Sequence, residues 1–112
     1  MKLHYLITFV ADMGAAVTFY RDTLGLALRF QSPEWTEFDT GSTTLALHTS
    51  SPVNPPGTMR MGFAVPDMEE FKAQLQRSGL GLTHEPRAEH GVLISEFADA
   101  AGVRYAVSAP VK

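Results

Sequence analysis

The chain predicts an α+β fold in which two tandem βαβββ modules form curved mixed sheets around a cleft. Three observations carry this prediction. Val10-Ala11-Asp12-Met13 returns later as Val65-Pro66-Asp67-Met68. Each copy leads into an amphipathic stretch that stops at a glycine followed by leucine, Gly25-Leu26 and then Gly79-Leu80. Further on, Glu37-Phe38 before Gly41 is echoed by Glu96-Phe97 before Gly102, and Leu45-Ala46-Leu47 by Tyr105-Ala106-Val107. Echoes that keep their order mark two copies of one supersecondary unit.

Each element follows from local chemistry. From Leu3 to Val10, Leu3, Tyr5, Ile7 and Phe9 alternate with His4, Leu6, Thr8 and Val10, the pattern of a strand buried on both faces. Asp12 can accept hydrogen bonds from the free N–H groups of a first helical turn. Met13, Val17, Tyr20 and Leu24 form a buried helical stripe, and Gly25 supplies the left-handed residue that ends it. Residues 26–31, 34–40 and 43–49 read as strands separated by Ser32-Pro33 and Thr40-Gly41-Ser42. The polar, proline-rich run 51–58 cannot continue a ladder and reads as a linker. The second module opens with a strand over 59–65. Asp67 with Glu70 then forms a capping box, Met68, Phe71 and Leu75 face inward, and Gly79 stops the helix. Residues 82–85, 91–97 and 103–108 complete its three strands. The chain is therefore one domain, 1–112, with modules at 1–50 and 59–112.

Composition narrows the function. The 45% hydrophobic and 19% charged content is that of an ordinary soluble globule. No apolar run is long enough to span a bilayer, and Met1-Lys2-Leu3-His4 lacks a signal-peptide core. The chain has no cysteine, which removes disulfides, thiolate nucleophiles and cysteine-based zinc sites. A cytoplasmic location is the expectation. Net charge is −3 and the arginines are scattered singly, so the basic footprint that nucleic acid requires is missing. No nucleophilic triad, phosphate-binding glycine loop or paired-carboxylate motif is present, and Glu69-Glu70 suits a helix dipole.

Val10-x-Asp12-Met13, Phe19-Tyr20-Arg21-Asp22-x-Leu24-Gly25-Leu26 and Leu45-Ala46-Leu47-His48 together resemble the vicinal oxygen chelate superfamily. That superfamily includes glyoxalase I, fosfomycin- and bleomycin-resistance proteins and extradiol dioxygenases. The resemblance covers essentially the whole chain and implies a glyoxalase-like fold. The second module's usual Asp-Pro-Asp-Gly turn stands here as Asp99-Ala100-Ala101-Gly102. The resemblance also implies where metal-dependent members place their ligands, and those positions hold Tyr5, Ala46, Arg60 and Ala106. None is a usual ligand for a divalent cation. No metal, no cofactor and no catalytic residue are therefore expected.

The remaining cleft positions suit a binding role. His4 is one residue out of step and should face away from the cleft. His48 shares a face with Ala46. It can hydrogen-bond a ligand, act as a general base, or serve only the strand end. His84 and His90 are expected in solvated turns, with His90-Gly91 near a cleft mouth. Arg60 needs an acidic neighbour or an anionic ligand if buried, and Glu37 and Glu96 are its candidate partners. Trp35, on the face of Glu37, can join Tyr5, Ile7 and Phe9 in an aromatic wall, with Ile7 and Phe38 contributing mainly to the core. The expected function is small-molecule binding of the bleomycin-resistance type, with a partly aromatic ligand held by Tyr5, Ile7, Phe9, Trp35, Glu37, His48 and Arg60. The alternative is a lyase, isomerase or dioxygenase with relocated metal ligands such as His4 and His48, or metal-free acid–base chemistry. A chain this small with open sheet edges is also expected to form a homodimer.

Overall fold

The computed structural model describes all residues, 1–112. It has the order β1 (Lys2–Val10), α1 (Met13–Thr18), β2 (Ala27–Gln31), β3 (Trp35–Asp39), β4 (Thr44–Thr49), β5 (Met59–Ala64), α2 (Met68–Arg77), β6 (Arg87–Glu89), β7 (Val92–Ala98) and β8 (Arg104–Pro110). This is βαβββ twice, the expected α+β architecture. Residues 4–60 form one compact unit, and residues 1–3 with 61–112 form the other.

In the first unit the strand order is β2-β3-β4-β1. Strands β2, β3 and β4 form an antiparallel meander, and β1 closes it by pairing parallel to β4 from Tyr5 opposite Thr44 to Val10 opposite Thr49. Asp12 caps α1, its Oδ1 accepting the Ala15 N–H at 3.0 Å. Beneath the helix lie Val17, Phe38 and Leu47, all but sealed from solvent, with Val10, Met13, Ala16, Tyr20, Leu26 and Leu45 around them. Each such large apolar side chain contributes about 1.5–3 kcal/mol through removal from water.

Helix α1 does not end as an α-helix. Phe19–Thr23 forms a wider π turn in which the Leu24 N–H donates to the Phe19 carbonyl at 3.0 Å. A π turn accommodates one extra residue and rotates the side chains beyond it about the helix axis. Leu24, expected in the buried stripe, is consequently 53% exposed. Gly25 still closes the segment at φ 75°.

The second unit repeats the plan with order β5-β8-β7-β6. Asp67 caps α2 through Oδ1 and the Glu70 N–H at 3.1 Å. The helix ends in a Schellman motif: Leu80 N–H to Leu75 carbonyl, Gly79 N–H to Gln76 carbonyl, and Gly79 at φ 76°. Met68, Phe71 and Leu75 pack with Val65, Val107 and Ala109 as this unit's core.

One strand lies elsewhere than expected. Residues 82–85 form no regular ladder with β7; they meet it through an isolated bridge between Leu82 and Phe97, the Thr83 N–H and Oγ1 both donating to the Glu96 carbonyl, and the Ser95 hydroxyl donating to the His84 carbonyl. The regular ladder begins at Arg87, beyond Pro86, which has no N–H to donate. Strands β6 and β7 then join through His90-Gly91, both at positive φ, a type I′ hairpin turn. His90 is exposed there, and His84 donates from Nδ1 to the Glu85 carbonyl at 3.0 Å. In the turn after β7, Asp99 Oδ1 accepts from the N–H groups of Ala101 and Val103. The altered turn thus keeps its organising carboxylate.

Candidate functional site

Two registers lay out the candidate site as a grid on the face of the first unit opposite α1. Strand β4 pairs with β3 on one side and β1 on the other, which produces the rows Trp35–His48–Phe9 and Glu37–Ala46–Ile7. Thr44 stands opposite both Asp39 and Tyr5 in the next row. Ala46, at the centre, contributes only a methyl group, and larger side chains lean together around it.

Those side chains form a continuous chain of contacts. The rings of Tyr5 and Trp35 meet edge-on at 5.5 Å, Trp35 and His48 at 6.0 Å, and His48 and Phe9 at 5.3 Å. The Arg60 guanidinium lies 5.2 Å from the centre of the Phe9 ring, a cation–π geometry. Arg60 is buried, and its Nη2 donates to Asn54 Oδ1 at 2.6 Å. Asn54 is held in turn by reciprocal backbone bonds with Ser51, so the proline-rich segment is ordered where it meets Arg60.

Glu37 anchors the other end. Its Oε2 accepts from Trp35 Nε1 at 2.8 Å and from the Tyr5 hydroxyl at 3.4 Å, and its Oε1 accepts from Arg29 Nε at 3.3 Å. Burial, followed by the charge and hydrogen bond of Glu37, holds the Tyr5 phenol above its ordinary value of 10.0, with Arg29 opposing. Tyr5 is therefore a neutral donor at physiological pH. His48 donates from Nδ1 to the Thr49 carbonyl at 2.8 Å. A carbonyl only accepts, so in the neutral ring Nε2 carries the lone pair.

Six of the seven expected site residues thus touch in sequence, and Ile7 lies buried in the same face. Tyr5 and Trp35 are only half-buried, in keeping with a lining role. His4 packs edge-on against Tyr5 at 4.2 Å. It stands five residues before Phe9, the partner of His48, on the same strand. That is about 16 Å at 3.3 Å per residue, too far for one metal ion to bridge the two imidazoles.

Sequence reasoning missed Arg29, Phe30, Thr44 and Asn54. The first two depend on a β-bulge. Leu28 pairs with Phe38 but Phe30 pairs with Glu37, so Arg29 is an extra residue in β2. The bulge brings Phe30 onto the Glu37 face and aims Arg29 at Glu37 and at Thr44 Oγ1, which accepts from Nη2.

A family model for the Glyoxalase/Bleomycin resistance protein/Dioxygenase superfamily matches residues 2–107. The chain belongs to this superfamily. Its fold is shared with solved members and relatives. A methylmalonyl-CoA epimerase from Mycobacterium tuberculosis aligns with a TM-score of 0.82 at 21% identity, over 99% of this chain and 89% of that one. A Streptomyces coelicolor methylmalonyl-CoA epimerase in complex with 2-nitronate-propionyl-CoA gives 0.79 at 18%, over 100% and 99%. A superfamily member from Vibrio splendidus 12B01 gives 0.69 at 15%, over 96% and 97%. A search of curated protein sequences finds no match.

Membership in the glyoxalase superfamily raises the question of a divalent metal, and the donors at the corresponding positions do not fit one. Tyr5 is a neutral phenol engaged with Glu37, Arg60 is a cation, and Ala46 and Ala106 offer methyl groups. No three His, Asp or Glu side chains gather anywhere in the chain as a metal-binding group. No helix is long and apolar enough to cross a membrane.

Proposed function

We propose that this protein binds a small, partly aromatic organic molecule on the strip from Tyr5 through Trp35, His48 and Phe9 to Arg60, by a mode that uses no metal. The observation that carries this reading is the unbroken run of ring contacts ending in a buried guanidinium, beside a carboxylate fixed by three donors. Flat rings supply stacking area at low entropic cost, and a few oriented polar groups supply selectivity. Trp35 is the chain's single tryptophan, so its fluorescence reports directly on the strip. A metabolite and antibiotic panel should contain arenes that perturb Trp35 emission saturably and raise the unfolding temperature. A panel in which no arene does either defeats the reading.

The second reading is a metal-free acid–base enzyme, favoured by the orientation of His48 and by the likeness to structures of methylmalonyl-CoA epimerases. With Nδ1 committed to Thr49, Nε2 is available to take a proton. Deuterium exchange from solvent into methylmalonyl-CoA, abolished in His48→Ala, would support it over simple binding.

A homodimer and a cytoplasmic location complete the proposal. The first is supported by the edge strand β2, all five of whose residues are exposed, including Phe30 at 51%. The second is supported by the absence of cysteine. Sedimentation equilibrium tests the oligomer, and a monomer at micromolar concentration would exclude it.

A further inference from the structure

We infer that the ligand of this strip is an anionic arene, and that Arg29 is the residue that receives its carboxylate. This inference rests on the binding role proposed above and names the ligand class of the same site. It follows from a count of donors and acceptors. Glu37 has roughly four lone-pair positions, and protein donors from Tyr5, Trp35 and Arg29 already fill three. Arg29 has five N–H donors: Nε and Nη2 both lie 3.3 Å from Glu37 Oε1 and Nη2 also donates to Thr44, which leaves the two N–H groups of Nη1 for a ligand. The polar capacity left at this end of the strip is therefore of donor type, and it belongs to a permanent cation.

Position supports the same conclusion. Arg29 is the bulged residue of β2, and its guanidinium is brought over the face that carries Trp35 and Tyr5. Its side chain is 44% exposed against 20% for Glu37, so an incoming ligand meets the guanidinium before the carboxylate. Two anchoring bonds hold it in place, which reduces the ordering cost of binding. A planar guanidinium fork matches a carboxylate in bidentate fashion, while Glu37 compensates part of the local charge. The ring of such a ligand then lies against Trp35 and Tyr5, with Phe30 on the same face by register.

The test uses the full chain labelled with 15N and three probes of one shape: benzoate, benzamidine and benzyl alcohol. The single Trp35 gives one indole N–H cross-peak, and that proton is the one bonded to Glu37. Benzoate should move this peak saturably at concentrations at least about tenfold below those needed for benzamidine, with benzyl alcohol between them. Arg29→Met should remove the benzoate preference. Arg29→Lys, which keeps the charge and loses the fork, should restore it only in part. If benzamidine binds as tightly as benzoate to the unaltered protein, the inference is overturned whether or not the variants fold. If all three probes bind and Arg29→Met leaves the benzoate preference unchanged, the inference falls while the binding role stands. If none of the three probes moves the peak, the inference falls, and the binding role is decided separately by the metabolite and antibiotic panel.

Discussion

The two modules share a plan and use it for different ends. In the first, the row across the site face reads Trp35–His48–Phe9. The corresponding row in the second reads Ile94–Ser108–Ala64, and Glu37–Ala46–Ile7 becomes Glu96–Ala106–Gly62. The central alanine and its glutamate neighbour are kept, and the aromatic groups around them are not. The second module places its rings elsewhere. Phe97 stacks on Tyr105 at 5.2 Å and meets Phe71 of α2 at 5.1 Å, with Phe63 beside both. Its aromatics consolidate a helix-side core, whereas the first module also presents a row of them on the opposite face. The repeat thus offers two corresponding surfaces, distinguished by the side chains they carry and by the bulge in β2.

The largest expected effects test whether the helix-side cores are equivalent. Phe38→Ala and Phe71→Ala should each lower unfolding free energy in denaturant titrations by about 3–5 kcal/mol, because each leaves a cavity under its helix. A loss below about 1 kcal/mol in either would mean that one helix is not packed as described. The next effect concerns the opposite face. Installing the second module's residues, Trp35→Ile with His48→Ser, should abolish arene binding in calorimetric titrations while leaving the far-ultraviolet circular dichroism unchanged. Retained binding would show that the aromatic row is not the difference that matters.

A smaller effect is expected at the helix ends. The first helix has one more residue between its capping aspartate and its terminal glycine than the second, and the π turn at Phe19–Thr23 absorbs it. Deleting Thr23 should let the first helix close as the second does, at a cost on the order of 1 kcal/mol by chemical denaturation. A loss several times larger would give the wide turn a role of its own.

The smallest effects concern acid. The Asp67 carboxyl is held below its ordinary value of 3.8, chiefly by the Lys112 ammonium, and that of Asp99 chiefly by the Val103 N–H. A lowered folded value means that the stabilisation is complete above the unfolded value and is lost as pH falls through the folded one. Asp67→Asn and Asp99→Asn should therefore lower the melting temperature slightly at neutral pH; the gap should start to close as pH falls past 3.8 and vanish only once pH is below the lowered folded values. A gap that persisted at lower pH would assign these residues a role independent of charge.

Much of this was legible in the sequence because it depends on local rules. Period two placed Trp35 and Glu37 on one face, Asp12 and Asp67 cap the helices as their positions required, and Gly25 and Gly79 adopt the left-handed conformation. The errors fall where one residue changes the count. Leu24 left the buried stripe because of the π turn, and the strand expected at 82–85 was displaced by Pro86. Arg29 escaped notice for a related reason. A bulge is defined by pairing between two strands, and a single strand's pattern does not contain it. Two neighbours of Arg60 were likewise out of reach of the sequence. Its observed neighbours include an amide, Asn54, and a ring, Phe9, neither of which a search for opposite charge would select.

Each first strand meets its partner late. Tyr5 pairs with Thr44, and Gly62 pairs with Ala106, in parallel ladders that close only after a helix and two further strands have been made. The meanders β2–β3–β4 and β6–β7–β8 are local, whereas the parallel closures carry the loop entropy of the whole module, the kind of contact that slows folding. On the ribosome, the apolar strand that holds Tyr5, Ile7 and Phe9 therefore emerges well before the strand that will cover its edge. The interval between those two events is when the chain exposes an apolar strand with an unpaired edge, the condition under which aggregation competes with folding.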